Sequence, residues 1–371
     1  FAPKAVADIC TEKDEYSASL APDNKYIYFT RKELRKPRGG IAGSSAEPIG
    51  VEIFYRSKRK ANGDWELGEE MPRPFNMEHT NGAASVTADN KIMYFVVCTN
   101  NAAEACDIWT SYWDKYRWAP LRNLGGVVNS STWDSQPTVS YDGNTMIFAS
   151  ARGGGLGGTD LYISTRDELG RWGKPENLGP VINSEQNELT PFLHSDSQTL
   201  YFSSKGHKGL GGYDIFYTKR NSDGSWQEPT NIGYPINTEG DEVSFFVSLD
   251  GETGFFSTNQ LSLPNGTRLG KGGLDLFSFA LHPAARPEKV MLIKGALEDP
   301  EGNALGGIIE VKNETTQEIT RLQADSTDGS FVAIVAANSE HRVTVQSEGL
   351  AYASTTIKPK EKTAETQVKL S

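Results

Sequence analysis

Residue types that could do chemistry recur in this chain at fixed places. Carboxylates stand ahead of predicted strands at Asp14 and Glu15, Asp134, Glu188, and Asp241 and Glu242. Set around a channel, Glu15, Asp134, Glu188 and Glu242 would ring its mouth and could hold a cation or a basic peptide. In the alternative reading each pairs with a turn of the neighbouring repeat, and their regular repetition favours that structural role. A run of glycines at 153–158, broken only by Leu156, has the spacing of a dinucleotide loop. Such a loop must open a helix whose N-terminus receives the pyrophosphate, whereas a strand pattern follows here at 160–164. Glycine clusters at 209–212 and 270–273 repeat the element, so close-approach turns are expected, with Asp160, Asp214 and Asp275 capping their amides. The histidines at 79, 194, 207, 282 and 341 lack metal-ligand spacing. No Gly-x-Ser-x-Gly elbow occurs, and residues 325–329 lack the alternating oxygen donors of a calcium loop. No convergent catalytic set emerges, so the expectation is a protein that is not an enzyme and has no cofactor and no metal.

Two further groups stand out. Arg31, Lys32, Arg35, Lys36 and Arg38 make a basic run in a predicted long loop at 30–50 of an otherwise acidic chain. Long loops on rigid scaffolds are common partner-binding sites, and a simply solvated loop is the competing reading. Cys98 and Cys106 flank a loop between two predicted antiparallel strands. A disulfide there would imply an oxidising compartment, and two buried free thiols fit the sequence equally.

The elements that position these groups form a repeat. Asp23, Asp89, Asp142, Asp196 and Asp250 are spaced by 66, 53, 54 and 54 residues, and a phenylalanine stands six residues after each. Trp65, Trp118, Trp172 and Trp226 keep the same period, with Asn76, Asn129, Asn183 and Asn237 each 11 residues later. Within a unit, an apolar strand leads to a tight Asp-Gly or Asp-Asn turn, an aromatic strand, a glycine loop, a third strand and a fourth that starts at the tryptophan. Four strands per period of about 54 residues describes a propeller blade. The fifth unit lacks its tryptophan strand, and residues 5–10 align with 178–183, so the N-terminus is expected to complete the last blade.

Composition sets outer bounds. With 371 residues, the chain has room for about two domains of ~150 residues. It contains no apolar run near the ~20 residues of a membrane span. A net charge of −11 argues against sequence-independent nucleic-acid binding, which draws on a basic surface. The chain begins at Phe1, so it is expected to be a processed or excised segment of something longer. Residues 283–289 read as a linker, and short alternating strands follow from 290 with turns at 299–303 and 328–329. The predicted class is therefore all-β: a five-bladed β-propeller over 1–282, followed by a small transthyretin-like β-sandwich over 290–371.

The unit Ser140-Tyr-Asp-Gly-Asn-Thr-Met-Ile-Phe-Ala-Ser150, with Gly211-Gly-Tyr-Asp-Ile-Phe-Tyr217, Trp226 and Asn231, resembles TolB-type propeller repeats of OmpA-family envelope proteins of Bacteroidota. The tail, with Gly295, Asp299, Gly302, Asp328, Gly329, Phe331 and Gly349, is similar to a carboxypeptidase regulatory-like domain. Their order resembles an envelope component of the type IX secretion system. The resemblance implies a periplasmic, outer-membrane-associated scaffold that contacts envelope or secretion-system proteins. Peptidoglycan would be bound by an OmpA-like domain outside this chain. The alternative is a propeller that binds carbohydrate or peptidoglycan fragments by stacking on Trp109, Trp113, Tyr116 or Trp133.

Overall fold

The computed structural model describes residues 2–35, 48–77, 80–98, 106–260, 266, 268–299, 301–346, 353–358 and 365–370. Among these, seven β-sheets account for the strands, and the one short helix is a 3-10 turn at Pro283–Ala285.

Six of the seven sheets have four antiparallel strands each, and five of these six carry the repeat. The third is typical: Asp134–Val139, Thr145–Ser150, Asp160–Thr165 and Glu176–Asn177 pair in sequence order. The hairpin between its first two strands turns at Asp142, whose carboxylate accepts from the Asn144 amide at 3.0 Å. The next residue, Gly143, has a φ of 71°; Asn24, Asn90, Ser197 and Gly251 hold the same left-handed position in the other four turns. This explains why the sequence places Gly, Asn or Ser after each aspartate. Phe29, Phe95, Phe148, Phe202 and Phe256, six residues after each aspartate, are fully buried.

The fourth strands differ from the sequence reading. Each is only two residues long, as at Glu176–Asn177 and Thr230–Asn231, and the tryptophans join only through isolated bridges such as Arg166 to Trp172. Pro120, Pro175 and Pro229 lie between tryptophan and strand in three sheets, where the missing N–H keeps the outer edge short.

The first strands of the five sheets contact one another in a closed cycle: Glu15–Leu20, Thr80–Val86, Asp134–Val139, Glu188–Leu193, Glu242–Val247 and back to Glu15–Leu20. The fifth sheet takes its outer strand from the N-terminus, with Lys4 opposite Ser278 and Ala5 opposite Phe277. Gly272 also packs so close to the Lys13 carbonyl that a Cβ would lie 2.0 Å from it. Gly157 and Gly211 make the same approach to Gln186 and Glu239 in the preceding pairs of sheets. The junction of the last sheet with the first therefore repeats the geometry of the internal junctions.

Residues 290–370 contribute a three-stranded sheet, with Val290–Leu297 between Ser330–Ala336 and a parallel Glu365–Leu370. They also contribute a four-stranded sheet of Ile319–Ala324, Gly307–Asn313, His341–Gln346 and Ala353–Ile357. A shared core of Ile293, Ile309, Phe331, Val343 and neighbours lies between the two sheets. The segment before it, read from sequence as a linker, is docked: Ala285 is buried, its carbonyl accepts from Tyr201 Oη at 2.5 Å, and the Glu288 amide donates to Asp196 at 3.0 Å.

Candidate functional site

Each repeated polar position has a specific structural partner. Asn183 accepts from the Leu161 amide at 2.8 Å and donates to the Leu161 carbonyl at 3.0 Å, so it acts as an added strand residue against the third strand. Asn76, Asn129 and Asn237 do the same for Phe54, Ile108 and Ile215. Asp160 accepts from the Leu156 and Gly157 amides, and Asp214 and Asp275 treat their own glycine loops alike. The glycine clusters are thus capped turns.

The carboxylates do not ring a channel mouth. Glu15, Asp134, Glu188 and Glu242 are buried inside their own sheets. Each accepts from the backbone amide and hydroxyl of a residue four positions earlier: Thr11, Ser130, Ser184 and Thr238. Each also accepts from the paired second strand, through Arg31, Ser150, Ser204 and Thr258 respectively. A buried carboxylate needs this many donors, which fixes it to the linker entering its sheet rather than to solvent. Burial pushes the Glu15 and Glu242 carboxyls up, and hydrogen bonds from Thr11 and Arg31, and from Thr238 and Thr258, oppose it.

The basic run also divides differently from the sequence reading. Arg31 and Arg35 lie on the strand Tyr26–Arg35, which pairs with Ile49–Lys58, so the loop is shorter than expected. Arg31 is buried, bonded to Glu15 at 2.7 Å and to the Ile9 carbonyl at 2.8 Å, with its guanidinium 4.5 Å above the Tyr55 ring. It closes the N-terminal segment onto the first sheet and is not a free partner contact. Arg35 pairs with Glu33 and Glu70. Lys32 is exposed, and Lys36 and Arg38 lie outside the described residues. Cys98 and Cys106, directly opposite in register, form a disulfide. Cys10 is buried and free, and burial, then the nearby Asp275 charge, pushes its thiol up to about 12. Of the stacking candidates, Trp109 and Trp133 pack against core clusters. Trp113 lies edge-on to Trp118, and Tyr116 is exposed.

The axis of the ring carries residues that the sequence reading missed. Ser17, Ala83, Gln136, Thr190 and Ser244, each six residues before a turn aspartate, have φ between 46° and 58°. They mark a bulge in every first strand, where the pairing register shifts. Left-handed backbone at non-glycine residues is costly and needs compensation. Here the Ser17 amide donates to Ser244 Oγ at 2.9 Å, Ser244 to Thr190 Oγ1 at 3.1 Å, and Thr190 to Gln136 Oε1 at 2.8 Å. These bonds stitch neighbouring sheets together at the axis. A visible signal was the proline after Gln136 and Thr190, since proline inside a strand marks a bulge. The axial cavity beside them measures about 80 Å³, room for a few waters, and is lined by Ser, Thr, Gln, Asn, Pro, Tyr141 and apolar side chains.

A larger space lies where the ring meets the sandwich. Lys91 at the end of one turn bonds Asp325, Asp328 at 3.2 Å and Ser330 at 2.9 Å across the junction, and Ala88 and Leu249 pack with Leu292 and Ile334. Burial works against the Lys91 charge, but its bonds to Asp325 and Asp328 hold it above its usual range. The Lys91 bond in turn holds Asp325 down at about 2. Beside this latch a cleft of about 380 Å³ runs between Asp142, Gln198 and Arg220 on the ring and Glu288, Glu318 and His341 on the other wall.

No protein-family model and no curated protein matches the chain. Solved structures with a similar fold include TolB of Acinetobacter baumannii, at 17% identity and a TM-score of 0.40. That match covers 72% of this chain and 54% of TolB, so the chain spans about half of its length. The endo-arabinase of Bacteroides thetaiotaomicron matches at 15% identity over 75% of this chain and 96% of its own, with a TM-score of 0.45. The periplasmic gluconolactonase of Pseudomonas aeruginosa matches at 11% identity over 87% and 88%, with a TM-score of 0.37. At these values no residue role transfers. The comparison does correct one expectation, that the chain is not an enzyme. The endo-arabinase stands beside an α-L-arabinofuranosidase of Lactobacillus brevis and a glycosyl hydrolase of Bacteroides ovatus among the similar structures.

Proposed function

We propose that the five sheets are the blades of a TolB-type propeller and that residues 290–371 are a transthyretin-like, carboxypeptidase regulatory-like sandwich. In this reading the two serve as an interaction segment of a periplasmic, outer-membrane-associated protein of the OmpA family. The partners are envelope or secretion-system proteins, in a role resembling that of the type IX secretion component PorE. Peptidoglycan would be held by an OmpA-like domain outside this chain. The observation that carries the reading is the use of the repeated polar residues. Asparagines, aspartates and carboxylates bond the chain to itself, and Lys91 locks the sandwich to the ring, which leaves the outer surfaces for contact. The Cys98–Cys106 disulfide supports an oxidising compartment. No helix among the described residues is long and apolar enough to cross a membrane.

The test is affinity capture from envelope extracts, run beside an assay for turnover of glycans and peptides by the purified chain. Recovery of a defined envelope partner supports the reading. Turnover with no partner recovered would replace it. The alternative, a propeller that binds carbohydrate or peptidoglycan fragments, rests on Tyr116 and Trp113, both exposed near the same sheet edge. Calorimetry with muropeptides separates the two.

A further inference from the structure

Arg166 and Arg220 occupy the same place in successive sheets, each 24 residues after its turn aspartate and each bridged to the repeat tryptophan. Their guanidinium groups lie 4.6 and 4.8 Å from the Trp172 and Trp226 rings. Arg166 also reaches the hydroxyl of Tyr94 in the preceding sheet. The residue in register with Tyr94 one sheet later is Ile147, which packs in the cluster that Trp226 joins and carries no hydroxyl. Arg220 therefore lacks the partner that Arg166 has. Its Nε, like that of Arg166, is buried without a hydrogen bond; unlike Arg166 it has no hydroxyl partner, it forms no ion pair among the described residues, and burial lowers its basicity. It lies on the wall of the 380 Å³ cleft between ring and sandwich, within the usual range for small-molecule sites.

The carboxylates of that cleft are of two kinds. Asp142 and Asp196 are occupied: Asp142 by Ser140 and Asn144, Asp196 by Thr199 and the Gln198 and Glu288 amides. Glu288 and Glu318 are exposed, and their side chains have no hydrogen-bond or ion-pair partner among the described residues. A plain anion would meet Arg220 but also these two negative charges. A molecule with a carboxylate and an ammonium group would meet both. We propose that this cleft binds a small zwitterion, an amino acid or short peptide, with its carboxylate on Arg220 and its ammonium toward Glu288 and Glu318. A guanidinium fork suits a carboxylate, and an unpaired, partly buried charge gains most from such a partner. Because the cleft has one wall from each body, its ligand would also brace the sandwich against the ring.

The experiment is calorimetry on the full chain with L-alanyl-L-alanine, acetate and ethylammonium. The dipeptide is expected to bind at least tenfold more tightly than either single-charge probe. Arg220→Gln should weaken it at least tenfold, while Arg166→Gln, whose position does not face the cleft, should stay within twofold. The exposed pair Glu288→Gln and Glu318→Gln is removable without touching a core, and should weaken the dipeptide severalfold and leave acetate unchanged or tighter. No binding of the dipeptide at millimolar concentration, or equal affinity in Arg220→Gln, would overturn the proposal. Acetate binding as well as the dipeptide would overturn the zwitterion assignment in favour of a simple anion.

Discussion

Replacing Asn183 by alanine should destabilise the ring measurably, and the structure shows by how much. Asn183 is 1% exposed and makes three bonds: from the Leu161 amide, to the Leu161 carbonyl and to Asn177 Oδ1. After truncation the Leu161 carbonyl keeps the Leu178 amide at 3.0 Å, and Asn177 keeps the Gly179 amide at 2.8 Å. Only the Leu161 N–H is left buried without a partner, which costs roughly 1–3 kcal/mol. The two other lost bonds add about 1 kcal/mol together once their remaining partners are counted, for a total of about 2–4 kcal/mol. Urea unfolding followed by tryptophan fluorescence reads this directly. With a slope of about 3 kcal/mol per molar, the midpoint should fall by about 1 M. Asn129→Ala and Asn237→Ala remove the equivalent bonds and should fall in the same range, whereas the exposed Asn62→Ala should stay within about 0.5 kcal/mol. A midpoint for Asn183→Ala indistinguishable from wild type would refute the claim that this asparagine stands in for a strand residue.

Other expectations follow from the junction and the thiols. Lys91→Met should leave the ring intact but speed amide exchange in the hairpin at 325–330 and expose residues 283–289 to limited proteolysis; unchanged exchange would remove the latch. The Asp325 part of that latch is depressed by its Lys91 bond, so its contribution is complete above the ordinary carboxylate value of about 4 and fades as pH falls toward about 2, which the same exchange measurement follows across pH. Thiol titration of the native, unreduced chain should find no reactive group, since Cys10 is buried and Cys98–Cys106 is joined. Denaturation should release one thiol, and denaturation with reductant three; two further thiols before reduction would mean an open Cys98–Cys106 pair.

Much of this architecture was legible because each repeated residue has a local job. An aspartate before a left-handed turn residue, a phenylalanine six positions on and an asparagine bonding back to the third strand all recur with the sheet period, so spacing alone locates them. What spacing did not disclose are the partners that burial gives the polar side chains. The four carboxylates repeat as cleanly as a functional ring would, yet their donors sit four residues upstream and on the paired strand, a fact of burial rather than of pattern. Arg31 reads as part of a basic loop because the strand Tyr26–Arg35 extends six residues past its apolar stretch Tyr26–Phe29, and only the fold shows the Glu15 partner beneath it. The strand Ala353–Ile357 was missed because Ser354, Thr355 and Thr356 give it no apolar alternation, although Ile357 reaches the core. The Arg220 cleft needs two comparisons at once, one along the repeat and one across the junction, and no single stretch of sequence contains both.

The central claim, that ring and sandwich form one latched body offered to envelope partners, is tested most directly by crosslinking mass spectrometry in intact cells. The account predicts two sets of links: between ring lysines and the sandwich near Lys91, and from outer-surface lysines to a small set of envelope proteins. Ring-to-sandwich links too long for the docked arrangement, or links to no other envelope protein, would contradict it.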